Sequence, residues 1–102
     1  MTWHSVLKLD DLGVDVPVAV VVDGDAICLV RTGGEVYAVH DECTHAEVPL
    51  SEGEVDGCAI ECWMHGSRFD LRTGAALNPP ATTAVRTYPV RVVDGHVRVF
   101  RA

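Results

Sequence analysis

The sequence has little positive charge and no long apolar run, and each shortage argues against a class of protein. Its 102 residues contain eight Lys and Arg against 15 Asp and Glu, which gives a net charge of −7 at pH 7. Surfaces that bind nucleic acid are basic, so this balance argues against a nucleic-acid partner. The longest apolar run, Val16 to Val22, includes Pro17 and is far shorter than the roughly 20 residues of a membrane-spanning helix. We therefore expect no membrane span.

Aromatic residues and helical periodicity are also scarce. Only 6% of the residues are aromatic, and no apolar pattern of helical period extends over ten or more residues. The hydrophobic 48% is rich in Val, which favours strands. No basic segment followed by an apolar segment and a cleavage site opens the sequence, which argues against export. These features predict a single all-β domain, residues 1–102, in the cytoplasm.

Apolar runs separated by turn signals predict an antiparallel arrangement. Asp23-Gly24 and Asp94-Gly95 are dipeptides typical of tight hairpin turns. The polar segment from Thr44 to Gly57 is rich in turn residues and is predicted to be one long loop. We expect two stacked antiparallel β-sheets or a small barrel. The predicted strands are residues 3–9, 16–22, 26–31, 35–40, 58–62, 68–71, 85–93 and 96–100.

Four residues with metal-binding side chains form the pattern C-x-H-x16-C-x-x-H, namely Cys43, His45, Cys62 and His65. Two thiolates and two imidazoles suit either a tetrahedral zinc ion or a two-iron cluster with unequally ligated irons. An ordinary zinc finger has two Cys in its first half, whereas here each half has one Cys and one His. In a Rieske centre two His replace two Cys on one iron of a [2Fe–2S] cluster. The pattern therefore favours such a cluster.

The flanks of this motif resemble those of Rieske ferredoxins, the small electron carriers of bacterial oxygenase systems. Gly66 to Leu71 reads GSRFDL, residues 73–74 read TG, and residues 79–81 read PPA. The resemblance runs from about Val39 to the C-terminus. It implies a Rieske-type fold, in which two loops build a cluster-binding lobe at about residues 41–80. It also implies one [2Fe–2S] cluster, with both Cys of the motif on the buried iron and both His on the outer iron.

The resemblance further implies an electron carrier that passes single electrons from a flavoprotein reductase to a terminal oxygenase. The sequence shows no second metal motif of the 2-His-1-carboxylate kind and no G-x-G-x-x-G. We therefore expect an electron-transfer component and not an enzyme in its own right. Two alternatives use the same cofactor, a Rieske small subunit of nitrite reductase and a Rieske accessory protein of iron–sulfur cluster assembly. A zinc-stabilised binding module is an alternative from a different class.

Several positions near the motif have expected roles in tuning or packing. Ser67 is a candidate hydrogen-bond donor to a cluster sulfur, and Gly66 would let the backbone pass close to the cluster. Trp63 and Met64 are expected to serve packing. High-potential Rieske proteins carry a disulfide and a Tyr that are absent here. The corresponding positions hold Val48, Met64 and Phe69.

Two further expectations concern the other cysteines and the acidic residues. Cys28 and Cys58 lie in apolar, strand-like segments and are expected to be buried and reduced. Between residues 41 and 61 the chain has carboxylates but no Lys or Arg, so this run forms either a solvated face or a docking surface. Glu47 and Glu52 follow His45 and would lie beside the cluster in the second case. The run consists of Asp41, Glu42, Glu47, Glu52, Glu54, Asp56 and Glu61.

Overall fold

The computed structural model describes residues 2–101, and strands make up most of the regular structure. Within this part of the chain the helical elements are two short 3₁₀ turns, Leu9–Asp11 and Leu50–Glu52. None of its helices is long and apolar enough to cross a membrane. The strands are β1 (Thr2–Lys8), β2 (Val18–Val22), β3 (Asp25–Thr32), β4 (Glu35–His40), β5 (Glu54–Asp56), β6 (Ala59–Glu61), β7 (Arg68–Asp70), β8 (Thr87–Tyr88), β9 (Val90–Val93) and β10 (His96–Arg101).

The strands form three antiparallel sheets. Their strand orders are β1-β10-β9, β2-β3-β4-β8 and β5-β6-β7. The two predicted hairpin turns join β2 to β3 and β9 to β10. Asp23 and Gly24 have φ of 48° and 84°, and Asp94 and Gly95 have φ of 52° and 75°. Two successive positive φ angles match the twist of the flanking strands. The prediction of stacked antiparallel sheets is confirmed.

Strand β3 lies between two hydrophobic cores and contributes side chains to both. Ile27 and Leu29 belong to the core between sheets β2-β3-β4-β8 and β1-β10-β9, together with Val97 of β10. Cys28 and Val30 point the other way, into a core that also contains the motif cysteines. Successive side chains of a strand point to opposite faces, so a strand buried on both faces has an unbroken apolar run. The motif cysteines are therefore packed against one face of β3, and the other face of β3 belongs to the second core.

Three predicted boundaries are wrong for local reasons. The segment 44–57 is not one loop, because Leu50–Glu52 forms a 3₁₀ turn and Glu54–Asp56 pairs as β5 with β6. A three-residue strand is too short to give a visible alternation. The strand predicted over residues 85–93 is divided at Pro89, because proline has no N–H for the ladder. Strand β2 begins at Val18, after Pro17.

Candidate metal centre

Two separate loops bring the four motif side chains together. Sγ of Cys43 lies 3.4 Å from Nδ1 of His45. Nε2 of His45 lies 2.8 Å from Nδ1 of His65. Cys43 and Cys62 lie in the same hydrophobic core, and burial and, to a lesser extent, the nearby Cys62 thiol raise the pKa of the Cys43 thiol. The folded chain therefore gathers all four donors of the predicted motif into one group.

The two thiols are buried, and the imidazoles lie on the solvent side. Cys43 and Cys62 are 2% and 0% exposed and belong to the hydrophobic core. His45 is half-buried and His65 is exposed. Burial raises the pKa of the Cys43 thiol, and a hydrogen bond from the His45 backbone opposes this shift. The group thus runs from sulfur in the core to nitrogen at the surface.

The donor set fits a two-metal cluster better than a single ion. The donors are two sulfurs and two nitrogens, and the two imidazoles lie against each other on the solvent side of the buried thiols. A tetrahedral zinc site needs four donors around one point, whereas a Rieske cluster takes two sulfurs on one iron and two nitrogens on the other.

A buried carboxylate closes the first ligand loop. Asp41 follows β4 and accepts hydrogen bonds from the backbone N–H and the hydroxyl of Ser51, both at 2.7 Å. Cys43 N donates to the carbonyl of Val48 at 2.9 Å, which folds the loop back on itself. Asp41 is only 7% exposed. It is therefore a structural residue, and its inclusion in a possible docking surface was wrong.

The second ligand loop is a tight turn between β6 and β7. Cys62 N donates to the carbonyl of Ser67 at 2.7 Å, and Gly66 N donates to the carbonyl of Cys62 at 3.0 Å. Gly66 has a φ of +76°, and a Cβ at this position would meet no atom within 4 Å. The glycine therefore suits the left-handed backbone conformation of this turn, which side chains disfavour.

The side chain of Asn78 fastens the segment that follows His65. Its Oδ1 accepts from the N–H of Arg68 at 2.7 Å, and its Nδ2 donates to the carbonyl of Gly66 at 2.9 Å. Both bonds are to backbone groups on either side of Ser67. The sequence analysis noted residues 79–81 only as part of the family resemblance and assigned no role to Asn78. An Asn directly before Pro-Pro, a residue that bonds nearby backbone in turns, was the available signal.

The rest of the proline-containing loop contacts both ligand loops. Ala81 N donates to Oγ of Ser67 at 3.0 Å. The hydroxyl of Thr44 donates to the carbonyl of Thr83 at 2.7 Å. Residues 78–83 therefore connect the loop that carries His65 to the loop that carries His45, which holds both in fixed relation.

Several predictions about neighbouring side chains have mixed outcomes. Cys28 is fully buried, as predicted, and all four cysteines are free thiols. Cys58 is only half-buried, so its predicted burial was wrong in degree. Trp63 and Met64 are 54% and 42% exposed. Their predicted packing role was therefore wrong, because the tight turn directs them away from the core.

Comparison with known proteins identifies the relatives of this chain. The profile of the Rieske [2Fe-2S] domain matches residues 2–89. The anthranilate 1,2-dioxygenase ferredoxin subunit of Burkholderia cepacia is 42% identical over 97 residues, which covers 95% of this chain and 90% of the relative.

Two solved structures that resemble this chain also come from the ferredoxins of dioxygenase systems. The ferredoxin of carbazole 1,9a-dioxygenase from Nocardioides aromaticivorans IC177 superposes with a TM-score of 0.93 at 42% identity and covers 97% of both chains. A chain from a complex of reduced oxygenase and oxidized ferredoxin in carbazole 1,9a-dioxygenase has a TM-score of 0.90 at 35% identity. It covers 95% of this chain and 91% of the other.

Proposed function

This chain belongs to the Rieske [2Fe–2S] domain family, and we propose that it passes single electrons from a flavoprotein reductase to the terminal oxygenase of a ring-hydroxylating system. Like its relatives, it is a ferredoxin. It is an electron-transfer component and not itself an enzyme. The partners are inferred from a relative that serves an anthranilate dioxygenase and from one solved in complex with its oxygenase.

We assign Cys43, His45, Cys62 and His65 as the ligands of one [2Fe–2S] cluster. The buried Cys pair would hold one iron and the outer His pair the other. The cluster supplies a store for one electron, and the two loops hold its ligands with little freedom to move. The proline-containing loop adds to this rigidity through Thr44 and Asn78.

The observation that carries the proposal is the position of the imidazoles between the buried thiols and solvent. Because His65 is exposed, a partner that docks over it comes close to the site without any opening of the fold. We place the cluster lobe at residues 41–80. A cytoplasmic location is supported by Cys28 and Cys58, which form no disulfide, since a reducing compartment keeps cysteines reduced.

We further propose that exposed carboxylates steer the partners to this end of the molecule. Glu47 lies in the first ligand loop, Glu52 ends the 3₁₀ turn behind it, and both are exposed. Transient electron-transfer complexes are small, and complementary charge raises their rate of association. A basic surface on the partner would therefore face Glu47 and Glu52.

The ligand assignment is tested by metal content and spectroscopy. Protein purified from iron-replete cells should contain two irons and two acid-labile sulfides. His45→Ala and His65→Ala should each abolish the Rieske-type EPR signal of the reduced protein. His96→Ala, which alters an exposed His outside the motif, should retain the signal. One zinc per chain and no iron would contradict the assignment.

The partner assignment is tested by anaerobic reoxidation. The reduced protein, mixed with the oxidised terminal oxygenase of the same ring-hydroxylating system, should lose its electron within a single fast phase of a stopped-flow trace. Reoxidation by a nitrite reductase and not by the oxygenase would contradict the assignment and support the alternative of a nitrite reductase subunit.

A further inference from the structure

Three large apolar side chains are exposed in the segments next to the candidate ligands. Trp63 and Met64 lie between Cys62 and His65 in the second ligand loop, and Leu77 precedes the proline-containing loop. Their exposed fractions are 54%, 42% and 52%. About half of the Trp63 surface stays in contact with water, so the free energy of burying that part of the indole ring is not gained on folding. A partner that covers the ring gains this free energy on binding.

The backbone that carries these side chains is held by hydrogen bonds. The turn from Cys62 to Gly66 is closed by a 3.0 Å bond between their backbone groups, and Leu77 N donates to the carbonyl of Arg68 at 2.7 Å. Binding of a partner therefore causes little further loss of backbone conformational entropy, and this preorganisation favours affinity.

The loops around the exposed imidazole carry almost no charge. Residues 62–67 and 77–84 contain no Asp, Glu, Lys or Arg, and residues 43–51 contain one, Glu47. Interface centres are depleted in charged residues and enriched in Trp and Met, while charges lie at the rim. The composition of this end of the molecule thus matches an interface centre with Glu47 near its edge.

Trp63 and Met64 directly precede His65 in the chain, and all three residues are exposed. A partner that docks over the imidazole therefore comes close to the tight turn that carries both apolar side chains.

We propose that Trp63, Met64 and Leu77 form an apolar anchor for the terminal oxygenase, with Trp63 as the main contributor to affinity. The inference rests on the proposed function and identifies the surface that serves it. The matching surface on the oxygenase is an apolar depression that receives the indole ring, bordered by basic side chains that face Glu47. Trp is the residue type in which binding energy is most often concentrated.

Trp63 and Glu47 should affect different rate constants of binding to the oxygenase. Burial of Trp63 in a fitted pocket slows dissociation, because most affinity differences within one interface lie in the off-rate. Glu47 acts at long range and raises the on-rate, an effect that salt screens. The two contributions can therefore be separated by kinetics.

The experiment compares holoprotein variants for binding to the oxygenase by surface plasmon resonance. Trp63→Ala should raise Kd about tenfold to thirtyfold, mainly through a faster off-rate, with an unchanged dependence of the on-rate on salt. Trp63→Phe should recover most of the affinity. Val21→Ala removes another exposed apolar side chain, 71% exposed on β2, and should bind like wild type. Glu47→Lys should lower the on-rate at low salt.

The visible spectrum and the reduction potential of each variant should match those of wild type, which shows that cluster and fold are intact. If Trp63→Ala binds the oxygenase as tightly as wild type, the anchor proposal is wrong while the proposed function stands. The anchor is also wrong if Trp63→Ala slows only reduction by the reductase. If wild type itself fails to bind and to reduce the oxygenase, the proposed function fails and the anchor with it.

Discussion

At the scale of single residues, Ser67 is placed to influence the reduction potential. It is fully buried beside the ligand loop, and its Oγ accepts a hydrogen bond from Ala81 N at 3.0 Å. That bond uses an oxygen lone pair and leaves the hydroxyl proton free to be donated. A proton donated toward a cluster sulfur would stabilise the added electron.

We expect Ser67→Ala to lower the reduction potential. A hydrogen bond stronger by about 1.4 kcal/mol in the reduced state corresponds to about 59 mV for a one-electron couple. The shift should therefore be some tens of millivolts, measured by redox titration of the visible spectrum. Ser5→Ala, at an exposed position of β1, is the control. An unchanged potential in Ser67→Ala would show that the hydroxyl is not a donor to the cluster.

Phe69 supports an expectation for the wild-type potential itself. It is fully buried and has no group to donate, and the disulfide of high-potential Rieske proteins is absent. The potential should therefore lie toward the lower end of the Rieske range of about −150 to +300 mV. A value well above zero by protein-film voltammetry would contradict this expectation.

At the scale of elements, the first ligand loop depends on one buried carboxylate. Asp41 leads out of β4 and holds Ser51 at the start of the turn that precedes β5 through two bonds of 2.7 Å. Cys43 and His45 lie between these two anchoring points. Loss of the carboxylate would leave the Ser51 N–H without its acceptor and free the loop that carries half of the candidate ligands.

We expect Asp41→Ala to lower the free energy of unfolding by about 1.5–3 kcal/mol, the usual contribution of hydrogen bonds to a charged group. Glu42→Ala removes the same charge from an exposed neighbouring residue and should change stability by less than about 0.5 kcal/mol. Urea unfolding of the holoprotein followed by circular dichroism provides the comparison. Equal unfolding midpoints for the two variants would contradict the role given to Asp41.

At the scale of the whole molecule, an ion pair connects sheet β2-β3-β4-β8 to sheet β1-β10-β9. Asp25 begins β3, Arg101 ends β10, and Nε of Arg101 lies 2.8 Å from Oδ2 of Asp25. The hydrogen bond from Arg101 lowers the pKa of Asp25. The unfolded chain has an Asp pKa of about 3.9. The pair therefore stabilises the fold above about pH 4, and this contribution is lost as pH falls through the lower, folded pKa.

We expect Asp25→Asn to reduce the loss of stability on acidification. Thermal unfolding of the holoprotein between pH 6 and pH 3.5 should show a shallower fall in Tm for Asp25→Asn than for wild type. Arg101→Met removes the hydrogen-bonding partner and should have a smaller effect in the same direction, because Nη1 of Arg86 also lies 4.0 Å from Oδ2 of Asp25. Some pH dependence should remain, because the backbone N–H of Arg72 lowers the pKa of Asp70 in the same direction. Parallel curves for wild type and Asp25→Asn would contradict the role of the pair.

The sequence alone predicted the candidate ligands and the two Asp-Gly hairpin turns. The spacing of Cys43 and His45 from Cys62 and His65 is a local property of two short segments, and each segment carries its own signature. The Asp-Gly hairpin turns are equally local, because two positive φ angles restrict the residues that fit. The apolar run of β3 predicted a strand, whereas its burial on both faces was found only in the structure.

Only the tertiary structure decided which neighbours of the motif face solvent and which hold it in place. Asp41 and Glu47 look alike in the sequence, but one is buried against Ser51 and the other is exposed. The exposure of Trp63 follows from a tight turn, and the grip of Asn78 joins backbone groups ten or more residues away. Such contacts depend on how distant segments pack, which no local pattern records.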